Sequence, residues 1–427
     1  MNSNQTRVHM FTAGCRSPQG FRKAVSLHCH TQHSHENMSF LPHYASRIPI
    51  VARLFQAELD RRIKRGKNVD FSSAYWTPPI SARGVFESEA EQIGRQVGLE
   101  ALVSITDHDN IEASQLLEAL DPSRNVPVSV EWTVPFGVGF FHIGVHNLPP
   151  EQSTDIMSEL SAYTFNPKET ALSDLLAMLN ELPEVLLVLN HPAWDIEFVG
   201  PEQHAKSLST FITEYGKSIH ALELNGTRPW RENNVVLRAA EELELPVVSG
   251  GDRHSCRPNS VLNLTAAGAF SEFVSEVRHD RRSEILLMPE YGRQPAARQI
   301  EEVANILRFY PHYPCGQRRW TDRVFVCADE RGVLPLSLYA PNHWKRGGPR
   351  WLRRALQVVS LLGSRPFRPV MRLACFLLAP GEEVVALLGS RNYTRLALAA
   401  PTTINKTHPG VVMGTVENMS PEQEQRP

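Results

Sequence analysis

Between Leu27 and Glu36 the chain reads LHCHTQHSHE, with His28, His30, His33 and His35 inside eight positions. Each imidazole brings two ring nitrogens that a folded interior has to satisfy, so the stretch is either a solvated polar loop or a cation site. On a strand, His28 and His30 share one face and Cys29 takes the other. Two imidazoles on one face can ligate a single ion. Further donors recur down the chain: Asp107, His108 and Asp109 in SITDHDN, Glu131 in SVEWT, and His142 and His146 in FFHIGVH. His191 follows in LNHPAW, and Asp252 and His254 in SGGDRHS, again two apart. Each alone reads equally well as a polar residue at a strand end; their joint recurrence is what favours a metal site. Imidazole and carboxylate donors without cysteine suit Zn, Mn or Fe and argue against a closed structural zinc site. About nine candidate donors exceed the needs of one ion, so two or three divalent ions sharing bridging groups are expected. Multinuclear sites of this composition hydrolyse phosphate esters, lowering the pKa of a bound water and stabilising charge on the attacking and leaving oxygens.

These donors need a scaffold that brings strand ends together. Short apolar or β-branched runs at 24–30, 101–107, 126–134, 139–146, 184–191, 218–226, 245–252 and 263–270 read as strands. Helical periods lie between most of them, at 84–98, 112–120, 168–182, 201–216, 231–244 and 271–280. Strands separated by helices of that length imply βα units with parallel pairing, and about seven such units suggest a closed or nearly closed barrel whose strand ends carry the chemistry. A long insertion, 37–80, follows the first strand, with a helical stretch that could act as a lid. Past residue 295 the alternation fades into the helical patterns ARQIEEVANILRFY and RWLRRALQVVSLLG. The expected organisation is an N-terminal segment 1–20, a barrel over 21–295, a basic and mainly helical region over 296–400, and a disordered tail over 401–427.

The chain has 427 residues, 42% of them apolar, enough for a substantial core. Its net charge of −2 is unevenly spread. Residues 301–427 hold 17 Lys and Arg against 10 Asp and Glu, while residues 1–300 hold 27 against 36. An acidic body suits cation binding, and the basic end could meet an anionic partner or simply be a solvated face. Six cysteines form no CxxC pair and no signal-peptide core precedes them, so reduced thiols and a cytoplasmic location are expected. No apolar run is long enough to span a bilayer.

In order and local context these residues resemble the PHP family (polymerase and histidinol phosphatase domain) of metal-dependent phosphoesterases. LHCHTQHS is similar to its first motif, LHxHTxxSD, and ITDHDN to its second, TDH. Glu131, His142 in FHIGV, the NHP at 190–192 and the final DxH at 252–254 follow in the family's order, so the resemblance covers about residues 20–290. It implies a distorted (β/α)7 barrel around a trinuclear centre. The implied ligands are His28, His30, His108, Glu131, His142, His191, Asp252 and His254. The ninth falls at His35, where the family more often has Asp, with Glu36 as the alternative. From its position in the stretch, His33 would line the mouth or face solvent.

The expected reaction is in-line hydrolysis of a phosphate ester by a metal-bridging hydroxide. Asp107 would accept a proton from a ligand imidazole, or else cap the helix that follows. Arg253 and Arg257 are candidate phosphate clamps, although Arg253 alternates with two ligands and could face away. Trp132, Trp194 and Trp230 either stack on a nucleobase or fill the core. The substrate would be a phosphorylated small molecule, a nucleotide, or a single-stranded oligonucleotide held by Arg318, Arg319, Lys345, Arg346, Arg350, Arg353 and Arg354. Two other classes compete. An amidohydrolase-like metallohydrolase shares the barrel and the HxH, but no lysine sits at an expected strand end. A non-catalytic scaffold with a nucleic-acid-binding C-terminal region would have no reason to retain so full a ligand set.

Overall fold

The computed structural model describes residues 5–11, 20–38, 74–327, 332–339 and 341–370, with single positions at 53, 56, 57, 60, 373, 394 and 395. Most of the insertion 37–80, including its lid-like helical stretch, and the tail 401–427 lie outside the described residues.

Three sheets make up the strands. The first runs in the order β15 (Thr394–Arg395), β1 (Gln5–Met10), β12 (Arg282–Leu287), β11 (Val261–Thr265), β2 (Lys23–Ser26), β5 (Glu100–Val103). The second runs β10 (Val247–Gly250), β9 (Ala221–Asn225), β8 (Leu186–Leu189), β7 (Gly139–Leu148), β6 (Val128–Phe136). The third, of very short strands, is β14 (Val333–Pro335), β13 (Val324–Cys327), β4 (Tyr75–Trp76), β3 (Glu36–Asn37).

Strands β8, β9 and β10 are buried along their whole length and pair in parallel, as apolar runs covered on both faces do. Pairing is not parallel throughout. Only Gly137 and Val138 separate β6 from β7, and Gly137 has φ +61°, so the two form an antiparallel hairpin. A two-residue connection leaves no chain for a crossover helix. Strand β11 is likewise antiparallel to β2 and β12.

Among the described residues, none of the three sheets closes into the expected (β/α)7 barrel; the architecture is mixed α/β. The first and second sheets meet instead at two seams, each a single parallel bridge: Cys29 with Arg253, and His108 with Glu131. Left-handed backbone at His28, Asp109 and Asp252 interrupts the ladder there, with φ of 61°, 48° and 49°. Both seams fall at candidate ligands.

Helices α1 (Ala82–Gln92), α2 (Glu112–Leu120), α3 (Ser153–Phe165), α4 (Glu169–Glu181), α5 (Pro201–Tyr215), α6 (Trp230–Glu242) and α7 (Phe270–Arg278) pack around the first two sheets. The largest apolar cluster gathers Trp132, Leu160, Leu172, Leu176 and Phe211. Trp132 is fully buried there and its Nε1 donates to Leu160 O at 3.1 Å, so this ring is core. Beyond residue 295 come α8 (Pro295–Ile306) and α9 (Arg350–Leu362). The region expected to be mainly helical also supplies β13 and β14 to the third sheet.

Candidate metal centre

The donors converge just past the ends of β2, β5, β8 and β10, beside the middle of β6 and β7. Glu131, on β6, is buried at 0% exposure and sits at the hub. Its Oε2 lies 3.0 Å from His28 Nε2, 3.3 Å from His30 Nε2 and 3.2 Å from His108 Nδ1. Its Oε1 lies 3.2 Å from His142 Nδ1 and 3.1 Å from His191 Nε2. Asp252 Oδ1 approaches His30 Nε2 at 3.6 Å and His28 and His254 at 3.7 Å. A second carboxylate, Glu36, meets His108 Nε2 at 3.2 Å and His254 Nε2 at 3.1 Å. Three overlapping groups result, each with its ligand atoms within 4.8 Å of one another: His30, Glu36, His108 and His254; His28, His30 and Glu131; His108, Glu131 and His142.

Whether these groups fit cations can be judged from their hydrogen bonds. His28 Nε2, His30 Nε2 and Glu131 Oε2 are buried, with the two nitrogens crowded 3.0 and 3.3 Å from the carboxylate oxygen, yet none makes a well-formed hydrogen bond. Leaving buried polar atoms unsatisfied costs on the order of 1–3 kcal/mol each. A divalent cation would satisfy all three at once, and the donor set has the composition such ions take.

The electrostatics agree. Burial alone would raise the Glu131 carboxyl, but the imidazoles of His28, His142 and His108 hold it well below the carboxylate range. Burial likewise opposes ionisation of Glu36, and His108, His254 and His30 overcome it. Burial would lower His108 and His254, yet Glu36 and Glu131 push the first up to about 10, and Glu36 and Asp252 push the second up to about 9. Burial wins at His30 and His142, which fall to about 3 and about 4. Glu131 and Glu223 overcome burial at His28 too and hold it well above the imidazole range, so the imidazolium charges of His28, His108 and His254 offset the carboxylates when no cation does so. Metal binding would displace those protons.

Around the donors is a layer that orients them. His28 Nδ1 lies 2.5 Å from Oε1 of Glu223, which is itself buried on β9. With Nδ1–H donating there, the Nε2 lone pair faces Glu131. The other oxygen of Glu223 accepts from His191 N at 2.8 Å and Asn225 Nδ2 at 3.1 Å. Asn190 Nδ2 donates to Glu131 Oε1 at 3.0 Å. Ser34 Oγ donates to Glu36 Oε1 at 2.6 Å.

Eight expected ligands, His28, His30, His108, Glu131, His142, His191, Asp252 and His254, are therefore brought together. His35 is not. Its ring stacks on Tyr75 at 4.1 Å, and the next residue, Glu36, points inward from β3. His33 sits at the rim, 3.1 Å from Glu112. Asp107 accepts from Thr31 N and Oγ1 at 2.5 and 2.6 Å rather than from an imidazole, and burial pushes it up to about 6. The role expected of it falls to Glu223. Arg253 is buried and turned away from the donors into an ion pair with Glu89 at 2.8 Å, as the alternation of side chains dictates. Arg257 is taken by Glu301. Both expected phosphate clamps thus already have carboxylate partners. His146 hydrogen-bonds Ser104 at 2.8 Å and Asp109 accepts from Thr133 N, so neither joins the cluster. Glu223 was missed by sequence reasoning, although its signal was present: in HALELN, Glu223 and Asn225 alternate with leucines at the end of a strand otherwise fully apolar.

Aromatic rings flank the donors. Trp194 lies 5.3 Å from His191 with the Arg228 guanidinium 4.4 Å above it, Phe140 lies 4.9 Å from His142, and Trp76 lies 5.8 Å from His254.

No family model matches the chain. No curated protein matches it. Among solved structures it is similar to a proposed metal-dependent phosphoesterase from Bifidobacterium adolescentis, at 14% identity and a TM-score of 0.32, over 62% of this chain and 98% of that one. It is also similar to an amidohydrolase from Chromobacterium violaceum with bound sulfate and no metal, at 16% identity and a TM-score of 0.28, over 42% of this chain and 84% of that one. These similarities are slight; the chemistry of the centre is set by its own residues. Among the described residues no helix is long and apolar enough to cross a membrane.

Proposed function

We propose that this chain is a metal-dependent phosphoric ester hydrolase of the PHP kind. Two or three divalent ions (Zn, Mn or Fe) would be held by His28, His30, Glu36, His108, Glu131, His142, His191, Asp252 and His254. The observation that carries the reading is the convergence of three buried donor atoms without a well-formed hydrogen bond, on His28, His30 and Glu131, inside a wider ring of imidazoles and carboxylates. Bound divalent ions supply Lewis acidity and a water acidic enough to ionise near neutral pH. The chain's own contribution is position and charge. Glu223 fixes the tautomer of His28, Glu131 and Glu36 bridge neighbouring groups, and burial excludes competing water. With Arg253 and Arg257 engaged elsewhere, neutralisation of the phosphate would fall to the cations.

The substrate class proposed is a small phosphomonoester or nucleotide, with the rings of Trp194 and Trp76 beside the centre as surfaces for a base. A single-stranded oligonucleotide is the larger variant, because Lys345, Arg346, Arg350 and Arg354 are exposed. The test is a panel of phosphomonoesters, phosphodiesters and carboxamides, run on wild type and His191→Ala, with and without chelation. Phosphate ester turnover lost on chelation, restored by Mn or Zn and absent in the variant is the expected result. Equal activity in the two proteins, or cleavage of carboxamides alone, contradicts the assignment.

A further inference from the structure

Glu36 is unlike the other donors in what holds it. The rest leave strands of the first two sheets or the seams between them, whereas Glu36 belongs to β3, a strand of two residues that among the described residues pairs with β4 alone. A two-stranded ribbon this short has no independent stability in water. Its support comes from the far end of the chain. Glu36 pairs with Trp76 and Trp76 with Val324; Asn37 pairs with Tyr75 and Tyr75 with Phe325. Two continuous rungs thus run to β13, one from the candidate ligand and one from its neighbour Asn37. Thr77 N donates to Arg323 O at 2.9 Å and extends the ladder. Phe325 stacks on Tyr75 at 4.9 Å, and Tyr75 on His35 at 4.1 Å. The apolar side of the ribbon, Met38, Ala74 and Trp76, shares one cluster with Val324, Val326 and Trp344.

We propose that strand β13 is a working part of the metal centre: by templating β4 and β3 it seats Glu36, so that filling of the Glu36–His108–His254 corner depends on residues 324–327. The proposal rests on the metal-hydrolase reading above and adds a positioning role for the C-terminal region. It predicts two kinds of ion position, those formed by the first two sheets alone and one that needs the third sheet. On the near side Ser34 Oγ, at 2.6 Å, and His30 Nδ1, at 3.6 Å, tie Glu36 to the first-strand loop, and these contacts are the competing explanation for its placement.

The experiment uses the full chain as wild type, Glu36→Gln, Phe325→Ala/Val326→Ala, and the combination of all three. Bound Mn and Zn are titrated by equilibrium dialysis with elemental analysis. The expected result is that one step of the isotherm weakens by about 10-fold or more in both Glu36→Gln and the β13 variant, the other steps staying in place. The combined variant is then no weaker than Glu36→Gln alone, because both changes act through one group. A wild-type isotherm in the β13 variant, or additive losses in the combination, overturns the proposal. If the β13 variant does not fold, hydrogen exchange on wild type decides: slower exchange at 75–76 and 324–327 on metal addition supports the coupling, and unchanged exchange there overturns it. Failure of wild type to bind any metal would sink the hydrolase reading itself, an outcome distinct from these.

Discussion

At the end of β2 the backbone of His28 turns left-handed, with φ 61°, and His191 and Asp252 do the same at φ 29° and 49°. Each such turn costs a side-chain-bearing residue on the order of 1–3 kcal/mol, so glycine is the residue one would expect there. The strain bends three donors off their strands towards one point. Glycine is used instead at Gly250, where a Cβ would meet Glu223 Oε1 at 1.6 Å, and at Gly251, where it would meet Asn259 Oδ1 at 1.8 Å, so these two side chains together dictate the paired glycines of SGGD. Glu223→Gln preserves that shape but removes the charge behind His28. It is expected to weaken metal binding by about 10- to 100-fold with little change in far-UV circular dichroism; unchanged affinity would deny Glu223 its orienting part. Protonation makes a second prediction at this scale. In metal-free protein the raised His108 and His254 stabilise fully below about pH 6.5, and that stability is lost as pH rises through about 9–10. The lowered His30 and His142 work in the opposite sense, their stabilisation being present above about pH 6.5 and lost as pH falls towards about 4 and 3. Thermal unfolding in chelator should therefore show its highest Tm near about pH 6.5, with a fall on either side. A Tm that keeps rising to pH 10 would contradict the arrangement of charges.

At the scale of elements, the centre is gripped from outside as well as built from within. Glu302, on α8, accepts from His254 N at 2.9 Å and Ser255 Oγ at 2.7 Å, fixing the turn that carries the last two donors. Glu302→Ala should cost about 1–3 kcal/mol in urea unfolding, with weaker metal retention, because two donors lose their acceptor. What could be read in the sequence follows from how local each element's cause is. The apolar runs of β8 and β9 and the helical periods of α2 and α5 carry their own pattern, and the expected spans overlap the observed ones closely. The direction of β7 was written in the short PFGVG turn, yet expecting parallel pairing throughout overrode it. Strands β3, β4, β13 and β14, two to four residues each, have no period to read; partners far apart in sequence create them.

For the whole molecule, mixed α/β structure and a gathering of histidines and acids at strand ends were legible from residue types and spacing alone. A closed barrel was not forthcoming, since left-handed residues at the seams reduce two of its ladders to single bridges. Nor could sequence choose between His35 and Glu36. The two are neighbours, and alternation puts one of them inward without saying which until Tyr75 captures the imidazole. The rungs joining Glu36 to Val324 and Asn37 to Phe325 also set a timetable. About 290 residues separate these partners, so a ribosome adding roughly 5–20 residues per second makes the first some 15–60 seconds before the second. A nascent chain would carry His28, His30 and Glu36 long before the strand that seats its early glutamate emerges, and full metal loading would wait until residues 324–327 are made.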